Sequence, residues 1–469
     1  MDEPGSTLGS TSGSPAGSAP SGSAPSDSDS DSGSEPADPK DRLFRRSVLT
    51  VTLVGAAWRL AMLISKWNQP LLLNDSLYYS VQAWNNSQGR WFKEFWGVLP
   101  GAEHAPLTSI LLTPASLLPH HEFWQRATMT LIGIALVPLI AIVGRRLGGR
   151  RVGIIAAMLA AAYPNIWLSD ALIMSESLSL VLVVLALWSA LRHRDRFDTR
   201  TALVCGLAIG VAGHARSEVL LFAPLFALIG IRSHPWRLWV RRGVTIIAAT
   251  LVCVLPWITY NLGRFDAPML MSTNEGSTLL GANCPPSYGG PGIGGWSIVC
   301  LDELDPPTNE DTAARSARRR QEAISFASAN RGRLPKVVAA RLLRAADLYG
   351  VGDLVRGDVG EERPRWAVWA GIFSWWILAP LALVGWWRMR RGTGFVLAVP
   401  AIGVFVTTVV FYGAHRLRSP IEPVIVICAA MTIASLRPVR TRLDRRLARH
   451  LARHLARHLA SEGAVSLPA

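Results

Sequence analysis

Charge-free hydrophobic blocks, separated by short polar or basic stretches, set the pattern of this 469-residue chain. Residues 48–64, 127–144, 152–168, 171–191, 201–213, 219–231, 244–262, 366–387, 395–413 and 421–436 are each largely uncharged. A helix rises about 1.5 Å per residue, so roughly 20 apolar residues span a bilayer core. Several blocks have that length, while 201–213 and 219–231 are short. The pattern predicts an all-α polytopic membrane protein with about ten transmembrane helices. Segment 106–119 is apolar too, but it has Pro at 106, 114 and 119. It reads as an interfacial or dipping segment rather than a span.

Basic residues orient the blocks. They cluster at 40–46, 145–151, 192–200, 232–242, 388–391 and after 437. With a cytoplasmic N-terminus and strict alternation, every cluster falls on the cytoplasmic side, where Lys and Arg are retained. Both termini are then expected in the cytoplasm and the chain in a plasma membrane (the inner membrane of a bacterium). Residues 1–39, rich in Ser, Gly and Asp, predict a disordered tail. Residues 40–262 form an N-terminal transmembrane module whose first outer loop, 66–126, carries Trp at 67, 84, 91, 96 and 124. Such a Trp-dense loop predicts interfacial helices. Residues 263–365 form a small extracytoplasmic loop domain and 366–436 the last spans. Residues 437–469 form a basic tail with three Arg-His-Leu-Ala repeats, either a lipid-binding amphipathic helix or a low-complexity extension.

Composition agrees with the pattern. Half the residues are hydrophobic and 17% are charged, against about 25% charged in a typical soluble domain. The net charge of +15 belongs largely to the cytoplasmic clusters. It calls for no nucleic-acid partner, since no zinc finger, recognition helix or RNA-binding sheet is written in the chain. Cys205, Cys253 and Cys428 lie in spans, where Cys acts as a small apolar residue. Cys284 and Cys300 share the large outer loop, where a disulfide can persist. No Cys/His spacing asks for a metal.

Polar groups that oppose the insertion rules are the candidates for chemistry. Asp75, in Leu-Asn-Asp-Ser-Leu-Tyr-Tyr at 73–79, has two readings: a general base in an aromatic, partly dry setting, or, with Asn74, the N-cap of a helix from Ser76. Glu103 and His104 suit a metal, a phosphate or an acceptor hydroxyl, or form a solvated loop pair. Asp170 and Glu176 stand at the outer end of a span, where an unpaired carboxylate is costly. Arg216, Arg416 and Arg418 occupy short outer turns; they offer a fork to phosphate or snorkel to headgroups. Acids and guanidiniums on one outer face suit transfer from a lipid phosphate. The cations balance the leaving charge and one carboxylate takes the acceptor proton.

At these residues the chain resembles the GT-C membrane glycosyltransferases, the class of protein O-mannosyltransferases and aminoarabinose transferases. Asp75 matches the acid that the class places after its first span, and His104-Ala-Pro-Leu107 a His-Pro-Pro-Leu-like stretch. Gly144-Arg-Arg-Leu-Gly-Gly-Arg-Arg151 matches its basic turn, and Arg416-Leu-Arg-Ser-Pro420 an Arg-Tyr-Arg-Leu-Pro-like turn. The chain departs in having Ser76 after Asp75, where many members have an Asp-Glu pair, and in fewer spans. The resemblance implies a GT-C-like fold and an inverting transfer. The donor would be a polyprenyl-phosphate-linked sugar, hexose or pentose, and the acceptor a cell-envelope glycan, lipid or protein outside the cytoplasm. Asp75 would be the base, Glu103, His104 and Glu176 would shape the acceptor or phosphate pocket, and Arg416 would hold the phosphate. No cofactor is firmly implied; a divalent cation is compatible with the class. The alternative is a multi-span secondary transporter of an anionic or lipid-linked substrate, although no repeated halves appear. A non-catalytic scaffold would tolerate Asp75→Asn.

Overall fold

The computed structural model describes residues 38–72, 74–94, 99–304 and 310–436. The chain divides into residues 1–42 and 43–469. Of the first unit only 38–42 are described, and they open a helix; every later element belongs to the second unit. The expected disordered tail, Trp96 and the Arg-His-Leu-Ala repeats lie outside the described residues, apart from the last two positions of that tail.

The described chain is helical throughout, with one isolated bridge, Lys93 to Pro100, and no strand among the described residues. Helix α1 (Pro39–Ser65) leads to α2 (Asp75–Ser87) and α3 (Leu107–Leu112), then to α4 (His121–Ala162). The short α5 (Pro164–Trp167) precedes α6 (Ser175–Arg196), α7 (Thr199–Gly213), α8 (Phe222–Phe226) and α9 (Trp236–Leu262). The loop domain holds α10 (Glu275–Ala282), α11 (Pro285–Tyr288), α12 (Val299–Leu304), α13 (Thr312–Ala329), α14 (Leu334–Ala345) and α15 (Val351–Gly360). Helices α16 (Arg365–Met389), α17 (Gly394–Val410) and α18 (Glu422–Ser435) close the chain.

Among the described residues six helical segments are long and apolar enough to cross a membrane: α1, α4, α6, α9, α16, and α18 with the 3₁₀ turn before it. Three shorter apolar helices accompany them. Helix α4 is two helices joined at a kink. At Gly149 the backbone takes φ 82° and ψ −178°, a conformation open to glycine. The chain doubles back there: a Cβ on Gly153 would lie 2.7 Å from the Ala141 carbonyl oxygen, and one on Gly144 3.1 Å from Ala156 Cβ. A straight helix would hold residues 141 and 153 about 18 Å apart. Blocks 127–144 and 152–168 are thus two helices, packed closely through small residues, with the basic run 145–151 at their turn. Segment 106–119 forms α3 and a three-residue 3₁₀ turn, too short to cross.

Neighbouring helices pack in the order α16, α18, α4, α6, α7, α9. Their core is aliphatic, from Leu136, Val137 and Ile140 through Val183 and Leu187 to Val426 and Ile427. One ion pair is sealed inside. Arg59 of α1 is 1% exposed, and its Nε donates to Asp170 Oδ2 at 2.6 Å. Its other nitrogens donate to the carbonyls of Gly55, Ala160 and Ala161. Asp170 also accepts from Ser177 Oγ at 2.7 Å. Gly133 makes the space, since a Cβ there would lie 2.1 Å from the carboxyl.

The loop domain has its own small core around Tyr288, Ile293, Val337 and Ala340. Cys284 and Cys300 are disulfide-bonded across a separation of 16 residues. A loop of that size contributes roughly 3 kcal/mol. Reduction under native conditions is therefore expected to lower the domain's stability by about that amount. Amide exchange within 284–300 checks this; unchanged protection would contradict it.

Candidate active site

A cavity of about 1190 Å³ opens between the C-terminal ends of α9 and α17, the loop 66–126 and the loop domain. Asp75, Tyr79, His104, Arg216, His415 and Arg416 are among its lining residues.

The local fold frees Asp75 for this cavity. Asn74 takes the N-cap of α2, its side chain accepting from Ser76 N at 2.8 Å. The cap reading of this motif thus falls to Asn74, and Asp75 is left free of it. Asp75 Oδ2 accepts from Arg416 Nη2 at 2.6 Å, and His104 Nε2 stands 3.6 Å from Oδ1. His104 is held between the rings of Tyr78 and Tyr79, with centroids at 4.8 and 4.9 Å. Burial alone would raise the Asp75 carboxyl, but Arg416 and then His104 outweigh it and hold it well below the usual carboxylate range. A depressed pKa means the carboxylate persists as pH falls below the ordinary value, about 3.9. The pair's contribution to stability is present above that ordinary value and is lost as pH falls through the lower folded one. The Asp75 carboxyl should therefore show no protonation above about pH 4, read as its carboxyl infrared band against Asp75→Asn.

Arg416 sits in the 3₁₀ turn His415–Ile421 and is shared among acids. Besides Asp75 it binds Glu361, and Glu176 lies 3.5 Å from its Nε. Glu176 is buried and also faces Arg216 at 3.1 Å and Arg363 at 3.9 Å. Arg216 holds Glu218 as well, and Arg363 holds Asp358 at 2.8 Å and Glu361 at 2.6 Å. His415 bridges Asp347 and Asp358. Burial raises the Glu361 carboxyl against the pull of Arg416 and Arg363. Asp358 is held low despite burial by Arg363 and His415. Such a connected set restrains the geometry, because most of its members are held by more than one partner of opposite charge.

The predicted residues divide by place. Asp75, His104, Arg216 and Arg416 share the cavity wall, and Glu176 lies directly behind Arg216 and Arg416. Glu103 is beside His104 but does not line the cavity; burial raises its carboxyl, and its Oε2 has no hydrogen-bond partner. Two expected substrate contacts are displaced. Asp170 is occupied by Arg59, away from the cavity. Arg418 is buried against Asp347 and Glu422, with its guanidinium 3.8 Å from the Trp375 ring centroid. Glu361, Arg363, Asp358 and Asp347 were not anticipated. The signal lay in the charged run Glu361-Glu-Arg363 beside the outer end of α16, which opposes insertion as Arg216 does. Glu362 of that run pairs with Arg126 at 2.9 Å, while Lys66 Nζ donates to the Glu362 carbonyl at 2.8 Å. Both ends of loop 66–126 are thereby tied to one residue. Among the described residues no group of three or more His, Cys, Asp or Glu is arranged to hold a metal ion.

Comparison with known proteins bears on the fold. Residues 103–260, about a third of the chain, match the model of the dolichyl-phosphate-mannose-protein mannosyltransferase family. No curated protein matches. The structure resembles the Archaeoglobus fulgidus oligosaccharyltransferase complexed with zinc and sulfate, with a TM-score of 0.50 and 16% identity over 87% of this chain and 51% of that one. The same enzyme tethered to an acceptor peptide gives 0.51 and 16% over 84% and 49%. The chain has the GT-C fold. It spans about half the length of that GT-C oligosaccharyltransferase. ArnT from Cupriavidus metallidurans in the apo state aligns at 16% identity over 79% of this chain and 77% of that one, with a TM-score of 0.37. That superposition is too loose to add to the fold assignment.

Proposed function

We propose that this GT-C protein is a membrane glycosyltransferase. It moves a sugar from a polyprenyl-phosphate donor to an acceptor outside the cytoplasm, with inversion and with Asp75 as general base. The observation that carries the reading is the Asp75 carboxylate facing a large cavity in contact with Arg416 and near His104. The family matched by residues 103–260 is named for a dolichyl-phosphate-linked sugar, which supports a lipid-phosphate donor.

The chemistry balances with these groups alone. The acceptor oxygen attacks the anomeric carbon from the face opposite the phosphate. As the new C–O bond forms, the bond from that carbon to the phosphate oxygen breaks, and its electron pair leaves with the phosphate. The acceptor proton passes to Asp75. The phosphate gains negative charge, which Arg416 and Arg216 are placed to balance. Arg416 is already engaged by three carboxylates, so the donor phosphate enters by exchange for one of them. The apolar wall of the cavity, with Leu221 and Leu251, suits the lipid chain.

The test is reconstitution of the full chain in proteoliposomes with radiolabelled polyprenyl-phosphate mannose and arabinose. Envelope extract supplies acceptors. Label is expected to move from the donor into acceptor. No transfer from either donor would count against the reading.

A further inference from the structure

Several constraints hold one exposed indole rigid on the wall of the cavity. Trp296 is 40% exposed and lines the cavity that Asp75 also lines. Its Nε1–H donates inward to the Ser277 carbonyl at 3.2 Å. The indole lies against Gly281 of α10, where a Cβ would meet Nε1 at 2.3 Å. Ser297 N donates to the Gly281 carbonyl at 3.0 Å, and Gly413 N to the Gly294 carbonyl at 2.8 Å. The last bond ties the segment to the chain three residues before Arg416. The Cys284–Cys300 disulfide encloses the segment from both sides.

An interfacial anchor is the ordinary explanation of an exposed Trp, but an anchor turns its N–H toward headgroups. Here that donor is spent inside the protein, and only the ring face is on offer. Polar groups stand beside it on a wall that also carries Ile298 and Leu301. Arg319 Nη1 donates to Ser277 Oγ at 2.6 Å, and Arg344 stands where a Cβ on Gly295 would meet it at 3.3 Å. Asn274, Thr278 and Asp353 line the same cavity.

We propose that Trp296 is the stacking platform of a saccharide subsite, and that the acceptor side of the cavity takes a glycan rather than a peptide. The assignment to the acceptor side rests on the glycosyltransferase reading. A sugar ring has a face of C–H bonds and a rim of hydroxyls. The C–H face packs on the negative face of an indole, and the rim is met by Arg, Asn and Asp groups able to donate and accept in pairs. A Ser- or Thr-bearing peptide offers no flat C–H face rimmed by hydroxyls, so it would gain less from the same indole.

Binding without donor tests this independently of transfer. The chain has 18 Trp, so intrinsic fluorescence would not isolate one. Saturation-transfer NMR on the full chain in nanodiscs is the better probe, with mannotriose, arabinotriose and a Ser/Thr-rich peptide as ligands. At least one oligosaccharide is expected to bind, with affinity falling about tenfold in Trp296→Ala and much less in Trp296→Phe. With donor present, Trp296→Ala should raise the acceptor KM and leave the donor KM unchanged. Unchanged oligosaccharide affinity in Trp296→Ala, preference for the peptide, or no oligosaccharide binding by the wild type would each overturn the proposal. Transfer with no Trp296 dependence defeats the platform alone; oligosaccharide binding with no transfer from any donor defeats the glycosyltransferase reading alone.

Discussion

Asp75→Asn is expected to lower kcat by about 10²–10⁴-fold, the usual contribution of a positioned general base. The amide keeps the size of the side chain and an oxygen that can accept from Arg416, so the cavity should keep its shape. It cannot take the acceptor proton. KM for the donor should change little, because Arg416 and Arg216 still face the phosphate. The effect is read in steady-state transfer by protein shown to be inserted and folded. A variant that keeps wild-type kcat would remove Asp75 from the chemistry. A variant that loses donor affinity at unchanged kcat would make it a binding residue.

The second large effect is on stability. Asp170→Leu leaves Arg59 sealed in the helix core without its counter-ion, at a cost of about 3–5 kcal/mol. Thermal unfolding in detergent should show the loss, while transfer per folded molecule stays near wild type. Adding Arg59→Leu should recover part of the stability, since the remaining charge is then gone. Unchanged stability together with lost transfer would return Asp170 to the site, as its position beside Glu176 in the sequence suggested.

These two acids show what the sequence could and could not convey. Both looked misplaced by insertion rules, and both are charged groups in costly places. What separates them is the partner. Arg59 lies in the C-terminal third of α1, 111 positions before Asp170, and nothing in the sequence pairs them. The architecture was more legible, because block length and basic clusters follow directly from the bilayer as a solvent. Even the doubled-back α4 was readable, from its basic run and adjacent glycines at 148 and 149. Asp75, His104, Arg216 and Arg416 could be gathered onto one face because each sits in a connection that the alternation of blocks puts on the same side. The loop-domain acids Asp347, Asp358 and Glu361 could not, since that face depends on how α10 to α15 fold over the cavity. His415 stood in the motif beside Arg416, yet its role as a bridge between Asp347 and Asp358 exists only in three dimensions.

The most direct test of the central claim is the stereochemistry and stoichiometry of a single turnover. Purified wild-type protein in proteoliposomes would be given one polyprenyl-phosphate sugar of known anomeric configuration, with product analysed by NMR. The account predicts one polyprenyl phosphate released per sugar transferred, an inverted anomeric centre, and loss of both signals in Asp75→Asn. Retention of configuration, or full turnover by the Asn variant, would contradict it.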